Sequence, residues 1–159
     1  MEKFIADAML GKLAKYLRMF NIDTKYIKNI NDEELMQIAK SENRIVLTRD
    51  RLLIKRKFFK THKYIFIKGD KIIDQLKIFN KYYKLAIDND LKYCLRCNNL
   101  IEEIEKEKII NCVPPFVFNT QEKFYVCHNC NRIYWSGTHN IRMQERLKEI
   151  LKKINEAKE

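Results

Sequence analysis

The chain has 159 residues, of which 46% are apolar, with only three glycines and two prolines. This composition excludes a low-complexity disordered chain and supplies enough apolar residues for a folded core. The formal net charge of +11 favours a polyanionic partner, most simply nucleic acid, although a lysine-rich surface that serves solubility would also account for it.

The first half of the chain alternates short apolar segments with helical patterns. We predict strands at residues 4–6, 25–27, 44–48 and 64–67. Helices are predicted at residues 8–20, from Asn31 or Asp32 to Ala39, and at residues 71–82. This alternation predicts an α/β fold with a mainly parallel sheet flanked by helices.

The pattern changes near the polar segment 88–90. We expect residues 100–110 to form an exposed ribbon or turn, and Pro114-Pro115 to form a rigid extended connection. Strands are predicted at 124–126 and 132–135, and a final helix begins at Thr138 or Asn140. Whether that helix packs on its own domain or on a partner is left open.

Two CxxC pairs, Cys94/Cys97 and Cys127/Cys130, are separated by 29 residues. Four thiolates at this spacing can bind zinc tetrahedrally and leave no position for a substrate, so we predict a structural zinc ribbon. Two redox CxxC motifs, or chance spacing, are the alternatives. The fifth cysteine, Cys112, is predicted to be a small buried hydrophobe.

The location of the protein is predicted from the same sequence. Its N-terminus lacks a signal-peptide pattern, and no apolar run is long enough to cross a membrane. Free thiolates suit a reducing compartment. We therefore expect a cytoplasmic protein with no membrane partner, while its oligomeric state stays open.

Three acidic residues lie at element boundaries. Asp7 follows the first strand, Asp32 begins the second helix, and Asp50 follows the third strand. Because the carboxyl ends of parallel strands form one edge, these carboxylates can converge on Mg²⁺ or Mn²⁺ for phosphoryl-transfer chemistry. Alternatively, Asp32 only caps a helix and Asp50 only bonds its own backbone in a turn.

A basic segment at residues 49–63 follows the third strand and contains interleaved aromatic rings. Arg49, Arg51 and Arg56 of this segment are predicted to contact a nucleic-acid backbone, whereas its phenylalanines are predicted to be core. Lys12, close to Asp7 in the sequence, is a further candidate phosphate contact. The alternative for all these cations is a solvated surface.

The residues also carry a resemblance to a known family. The segments Phe4–Arg18, Asn31–Ala39 and Arg44–Leu53 look like a PIN-like nuclease domain. The cysteine motifs, Val113-Pro-Pro115 and Tyr134-Trp-Ser-Gly-Thr-His139 match a zinc ribbon. Together they resemble stand-alone relatives of the ribonuclease domain at the C-terminus of the Mut-seven exonucleases. The resemblance implies a nuclease domain at 1–89, followed at 90–159 by a zinc ribbon with a C-terminal helix.

The resemblance further implies a ribonuclease that acts on RNA and uses Mg²⁺ or Mn²⁺ beside the structural Zn²⁺. Its metal ligands carry over to Asp7, Asp32 and Asp50. PIN enzymes often use four acids, and Asp70 is the first candidate for the fourth, ahead of Asp74 and Glu33. A non-catalytic RNA- or ribosome-binding protein, a toxin-like PIN protein and a DNA substrate are the alternatives.

Overall fold

A computed structural model describes residues 1–156 and contains two β-sheets. The first sheet is parallel, with strand order β2-β1-β3-β4, and the second is antiparallel, with order β5-β6-β7. The strands of the first sheet are β1 (Lys3–Ala6), β2 (Thr24–Tyr26), β3 (Arg44–Thr48) and β4 (Tyr64–Phe66). Its helices are α1 (Gly11–Met19), α2 (Asp32–Ser41) and α3 (Ile72–Tyr82). The predicted α/β fold is therefore confirmed.

Helices cover both faces of the parallel sheet because successive strand residues point to opposite sides. In β1, Phe4 and Ala6 face α1 and α3, whereas Ile5 faces α2. Short 3₁₀ turns at Leu53–Lys55 and Lys57–Lys60 complete the second side, where Phe59 is buried and Phe58 is partly buried. The expectation that these phenylalanines are core is confirmed.

The C-terminal helix α5 (Thr138–Glu156) returns to the first domain, where it packs beside α1 and α3. Its buried residues Leu147, Ile150 and Ile154 belong to the same hydrophobic cluster as Leu13 and Leu17 of α1. The sequence-based division grouped this helix with the zinc ribbon, whereas its apolar face packs on the first domain. The apolar face of α5 must pack against other apolar residues, and the small core of the ribbon supplies too few of them.

The second sheet comprises β5 (Glu102–Ile104), β6 (Phe124–Val126) and β7 (Ile133–Trp135). A small core of Ile109, Val113 and Phe124 supports it, with Trp135 packed against that core. A short helix, α4 (Pro115–Thr120), precedes β6. No helix within residues 1–156 has the length and apolar character needed to cross a membrane.

Two local predictions in this region are wrong. Pro115 begins α4 instead of continuing an extended connection, because proline suits the first helical turn, where its missing N–H has no partner to lose. Cys112 is exposed, because the 3₁₀ turn Lys106–Ile109 places Ile109 in the ribbon core and leaves Cys112 outside it.

Candidate functional site

The four predicted cysteine ligands converge where the two CxxC turns meet. The sulfurs of Cys94, Cys97, Cys127 and Cys130 all lie within 4.8 Å of one another. Two of the sulfur–sulfur contacts join different motifs, at 3.6 Å for Cys94–Cys130 and 3.3 Å for Cys97–Cys127. Tetrahedral Zn–S bonds of about 2.3 Å would space the sulfurs by about 3.8 Å. The cluster can therefore hold one such metal ion, and its cross-motif contacts disfavour two independent redox sites.

The two CxxC turns have the same backbone design. Each motif is followed by an asparagine with positive φ, Asn98 at 69° and Asn131 at 57°. The asparagine N–H donates to the carbonyl of the first cysteine, at 2.9 Å and 2.7 Å respectively. Asparagine adopts this left-handed conformation more readily than most residues. The repeated CxxCN motif, visible in the sequence, therefore encodes two cysteine turns with the same backbone conformation.

The thiols differ in their tendency to ionise. Burial opposes ionisation of Cys94, but hydrogen bonds from Tyr134 and from backbone N–H groups outweigh it and lower the Cys94 pKa to about 6. Burial raises the pKa of Cys127 to about 12 and also raises the pKa of Cys130. Four thiolates this close repel one another, so a cation at their centre is needed to stabilise them together.

The first cysteine turn is docked on the edge of the parallel sheet through Arg18 of α1. The Arg18 guanidinium is buried and donates to the carbonyls of Thr24 at 2.8 Å, Leu95 at 3.0 Å and Arg96 at 2.9 Å. Burial lowers the Arg18 pKa, and the nearby sulfurs of the cluster act in the opposite direction. One side chain thus joins the helix, the sheet and the first cysteine turn.

Asp7 lies at the carboxyl end of β1, as the sequence predicted, and is only 7% exposed. Its Oδ1 accepts from the N–H of Met9 at 2.9 Å, which caps the 3₁₀ turn Ala8–Leu10. Its Oδ2 accepts from Thr48 Oγ1 at 2.6 Å and from the N–H of Arg49 at 2.8 Å. Both oxygens of this buried carboxylate are therefore satisfied by protein donors.

Asp50 is connected to Asp7 through the hydroxyl of Thr48, which ends β3. Thr48 Oγ1 donates to Asp7 and accepts from the N–H of Asp50 at 2.9 Å. Asp50 Oδ1 accepts from the N–H groups of Leu52 and Leu53, at 2.7 Å and 3.1 Å. The predicted turn role of Asp50 is present, and the residue also lies on the same sheet edge as Asp7.

Asp32 begins α2 but does not cap it, since the Asn31 side chain accepts from the N–H of Glu34 at 2.9 Å. Instead, Arg56 bridges the acids of this turn, donating to Asp32 at 3.1 Å and to Glu33 at 2.6 Å. The hydrogen bond from Arg56 lowers the Glu33 pKa. The acids raise the Arg56 pKa in return, and Asp50 contributes to that rise.

The three predicted carboxylates share one edge, but their oxygens do not meet at a point. Within residues 1–156, only the four cysteines form a group of potential ligands that converges in this way. Arg56 stands between Asp32 and Glu33 where a divalent ion would need access to a carboxylate. Carboxylate oxygens of this kind suit Mg²⁺ or Mn²⁺, but such an ion could reach Asp32 only if Arg56 moved away from it.

The candidate fourth acid, Asp70, follows β4 and is highly exposed. It forms an ion pair with Arg49, whose backbone N–H contacts Asp7. Arg49 thus links Asp70 to Asp7 at the carboxyl edge of the parallel sheet. Asp74 lies on α3 beside Gly69, whose φ of +87° turns the chain after β4.

The predicted nucleic-acid contacts fall into two groups. Arg49 and Arg56 are neutralised by carboxylates in the structure, whereas Arg51 lies over the Phe66 ring at 5.9 Å. Lys12 is exposed on the first turn of α1 and forms no ion pair within residues 1–156. Arg49 and Arg56 therefore hold carboxylates, whereas Arg51 and Lys12 form no ion pair within residues 1–156.

Sequence reasoning missed three residues that organise the site: Thr48, Arg18 and Asn98. Thr48 is fully buried at the end of a strand, and Arg18 is a charged residue in a helix with many apolar positions. A polar residue at a buried position of a predicted element is the signal that marks Thr48 and Arg18. The CxxCN repeat marks Asn98 in the same way.

These features define an α/β protein with carboxylates at the carboxyl edge of a parallel sheet and an appended cluster of four cysteines that could hold a metal ion. The family model described as the Mut7-C RNAse domain matches residues 2–147. The chain therefore belongs to the Mut7-C RNAse domain family, and the predicted resemblance is confirmed. The match includes both sheets, both cysteine motifs and the first half of α5. No curated protein and no solved structure gives a significant match.

Proposed function

We propose that this protein is a metal-dependent ribonuclease that hydrolyses RNA at the carboxyl edge of its parallel sheet. Asp7, Asp32 and Asp50 are the proposed catalytic carboxylates, with Asp70 as a fourth. Membership of an RNase domain family supports the reaction class. The observation that carries the site assignment is the Thr48 hydroxyl, which joins Asp7 and Asp50 at the carboxyl ends of adjacent strands.

Mg²⁺ or Mn²⁺ bound by carboxylate oxygens would supply an activated water and neutralise phosphate charge. Within this site, Asp7 is the most rigid group, because three protein donors hold it. Asp32 is held by Arg56 and becomes available when that guanidinium leaves. Arg56, once released, is suited to bind a phosphate through its planar donor fork.

The cysteine cluster is proposed to hold one structural Zn²⁺. Four thiolates around Zn²⁺ carry a net negative charge, and the buried guanidinium of Arg18 beside the first turn offsets it. The metal-bound ribbon then presents its outer surface beside the first domain, where it aids RNA binding. Free thiols and no membrane-spanning helix in residues 1–156 are compatible with the expected cytoplasmic location.

The test is cleavage of labelled single-stranded and structured RNAs by zinc-loaded wild-type protein and by Asp50→Asn. Reactions contain Mg²⁺, Mn²⁺ or no added divalent ion. We expect metal-dependent cleavage that falls at least 100-fold in Asp50→Asn and persists in the control Asp88→Asn, whose carboxylate pairs with Lys92 away from the sheet edge. Undiminished cleavage by purified Asp50→Asn protein would overturn the site assignment.

A second candidate function is RNA binding without cleavage, and the Arg56 bridge favours it. A guanidinium that neutralises Asp32 and Glu33 makes a bound metal ion unnecessary for folding of that edge. Mn²⁺ titration of Arg56→Ala separates the two functions. Tighter Mn²⁺ binding than in wild type supports the nuclease, whereas no binding by either protein, with RNA affinity intact, supports the binding protein. Arg51→Ala is the matched control, because Arg51 contacts the Phe66 ring and not these acids.

A further inference from the structure

Two clefts on the side of the molecule formed by α1 and α5 join into one groove. The larger, about 720 Å³, lies between the ribbon sheet, α4 and the start of α5. The smaller, about 490 Å³, lies between α1 and α5. We call them the aromatic cleft and the basic trough. Lys15, Met19, His139 and Met143 line both, so the groove is continuous.

The aromatic cleft offers ring faces of the kind on which bases stack. Phe116, on α4, is 77% exposed, although phenylalanine is a residue that folding normally buries. Tyr125, Tyr134 and Trp135 line the same cleft and are half-buried. Their positions are fixed by the ribbon sheet, so the cleft is rigid on that side. An unstacked base fits this chemistry, because every base has a face that stacks on an aromatic ring.

The basic trough carries cations that the protein leaves unpaired. Lys12 and Lys15 of α1 and Arg142 and Arg146 of α5 line it, and all four are exposed. None forms an ion pair with a carboxylate of residues 1–156. Arg146 is positioned over the ring of Tyr16 at 5.6 Å. The trough therefore presents a row of positive charge, in contrast to the neutralised arginines beside the acids.

The trough also runs toward the proposed catalytic edge. Asp7 caps the 3₁₀ turn that leads directly into α1, and Lys12 lies on the first turn of that helix. Met19, at the other end of α1, lines the aromatic cleft. From Lys12 to Met19 the helix rises about 10 Å. Side chains of a helix lean toward its N-terminus, so Lys12 leans toward Asp7.

We propose that this groove binds single-stranded RNA, with a base in the aromatic cleft and the adjoining phosphates along the basic trough toward Asp7. The proposal rests on the proposed ribonuclease function for its choice of RNA. We choose single-stranded RNA because the aromatic cleft would hold an unstacked base. The bases of a continuous duplex are paired and stacked, so none is free to enter it. Charge complementarity between the trough and phosphates supplies the remaining affinity.

The test measures binding, so it is independent of catalysis. All variants are made in zinc-loaded Asp50→Asn protein without Mg²⁺ or Mn²⁺. Anisotropy titrations use a labelled 12-nucleotide RNA, the same sequence as a duplex, and single-stranded DNA, each at several salt concentrations. The groove variants are Lys15→Ala/Arg142→Ala and Phe116→Ala. Their matched controls are Lys81→Ala/Lys148→Ala and Tyr82→Ala, exposed residues that line neither cleft.

We expect Lys15→Ala/Arg142→Ala to lower affinity for single-stranded RNA about 10-fold to 30-fold at 0.1 M salt. It should also reduce the salt slope by about 1.4, since each lost phosphate contact removes about 0.7. Phe116→Ala should lower affinity at least about 5-fold with an unchanged salt slope, because stacking carries no charge. The controls should bind as the parent does.

Groove variants that bind like the controls would overturn the proposal, as would a duplex bound as tightly as the single strand with the same sensitivity to Lys15→Ala/Arg142→Ala. Equal affinity for single-stranded DNA would overturn the choice of RNA. Failure of the ribonuclease assignment is a different result, namely no metal-dependent RNA cleavage by the wild-type protein, and it leaves these binding measurements intact.

Discussion

The side-chain oxygen of Asn98 accepts a hydrogen bond from the backbone N–H of Thr24 at 2.8 Å. Thr24 begins β2, the edge strand of the parallel sheet, so a residue of the first cysteine turn satisfies a donor at that open edge. The same Asn98 donates to Asp23 Oδ1 at 2.6 Å. The first cysteine turn therefore covers part of the open β2 edge of the parallel sheet.

This relationship predicts that the two equivalent asparagines differ in importance. Asn98→Gly and Asn131→Gly both keep the left-handed backbone, because glycine adopts it without strain. Only Asn98→Gly loses the two hydrogen bonds to the sheet edge. We expect it to lower the free energy of unfolding by about 2–3 kcal/mol more than Asn131→Gly does. Urea denaturation of the metal-loaded proteins measures the difference, and equal losses would show that the docking contributes no stability.

Metal removal is expected to loosen the parallel sheet as well as the ribbon. Without the ion the first cysteine turn loses its shape, and with it the contacts that Arg18 and Asn98 make. Hydrogen exchange at the Thr24 N–H should accelerate in zinc-free protein. We expect one zinc per chain in wild type and in Cys112→Ser, and loss of zinc in Cys127→Ser. Unchanged exchange at Thr24 in zinc-free protein would show that the metal does not stabilise the edge of the parallel sheet.

The Thr48 hydroxyl is expected to support both folding and the proposed catalysis. Thr48→Val keeps the shape of this fully buried residue but removes a donor to the buried carboxylate of Asp7. We expect the free energy of unfolding to fall by about 2–3 kcal/mol, because the lost hydrogen bond joins a charged group. RNA cleavage should fall at least 10-fold. Thr48→Ser keeps the hydroxyl and is the control, and equal effects of the two changes would contradict the assigned role.

The stability of the protein is expected to fall at acidic pH partly through Glu42. Burial opposes ionisation of Glu42, but hydrogen bonds from Lys25 and Arg44 outweigh it and lower the Glu42 pKa. A lowered pKa stabilises the fold above the unfolded-state value of about 4.3, and this contribution is lost as pH falls through the folded value. Glu42→Gln should therefore flatten the decline of unfolding free energy between about pH 5 and pH 3.

The control for that measurement is Glu145→Gln on α5, an exposed glutamate with no ion pair within residues 1–156. We expect its stability profile to follow that of wild type. The expected effect of Glu42→Gln is modest, because the carboxylate is 35% exposed and solvent screens its pairs. A profile for Glu42→Gln that is as steep as that of wild type would show that other acids account for the decline.

The sequence by itself determined the order of strands and helices in the first domain, the four cysteines that cluster, and the acids at the ends of strands and at the start of the second helix. These features depend on local periodicity and on the chemistry of short turns, which the chain carries within a few residues of each site. Thus β3 spans Arg44–Thr48 as predicted, and both CxxC pairs contribute to one cluster. The exceptions, Cys112 and Pro115, lie in the small ribbon, where a few neighbouring residues decide burial.

Only the tertiary structure decided which distant groups pair. Arg56 meets Asp32 across 24 residues, and Arg18 meets Leu95 across 77. The helix α5 likewise packs against α1 and α3, because its apolar stripe finds there the larger buried surface. Such contacts depend on packing of the whole chain and have no local signature. The residues at the sheet edge were therefore predictable, whereas their partners were not.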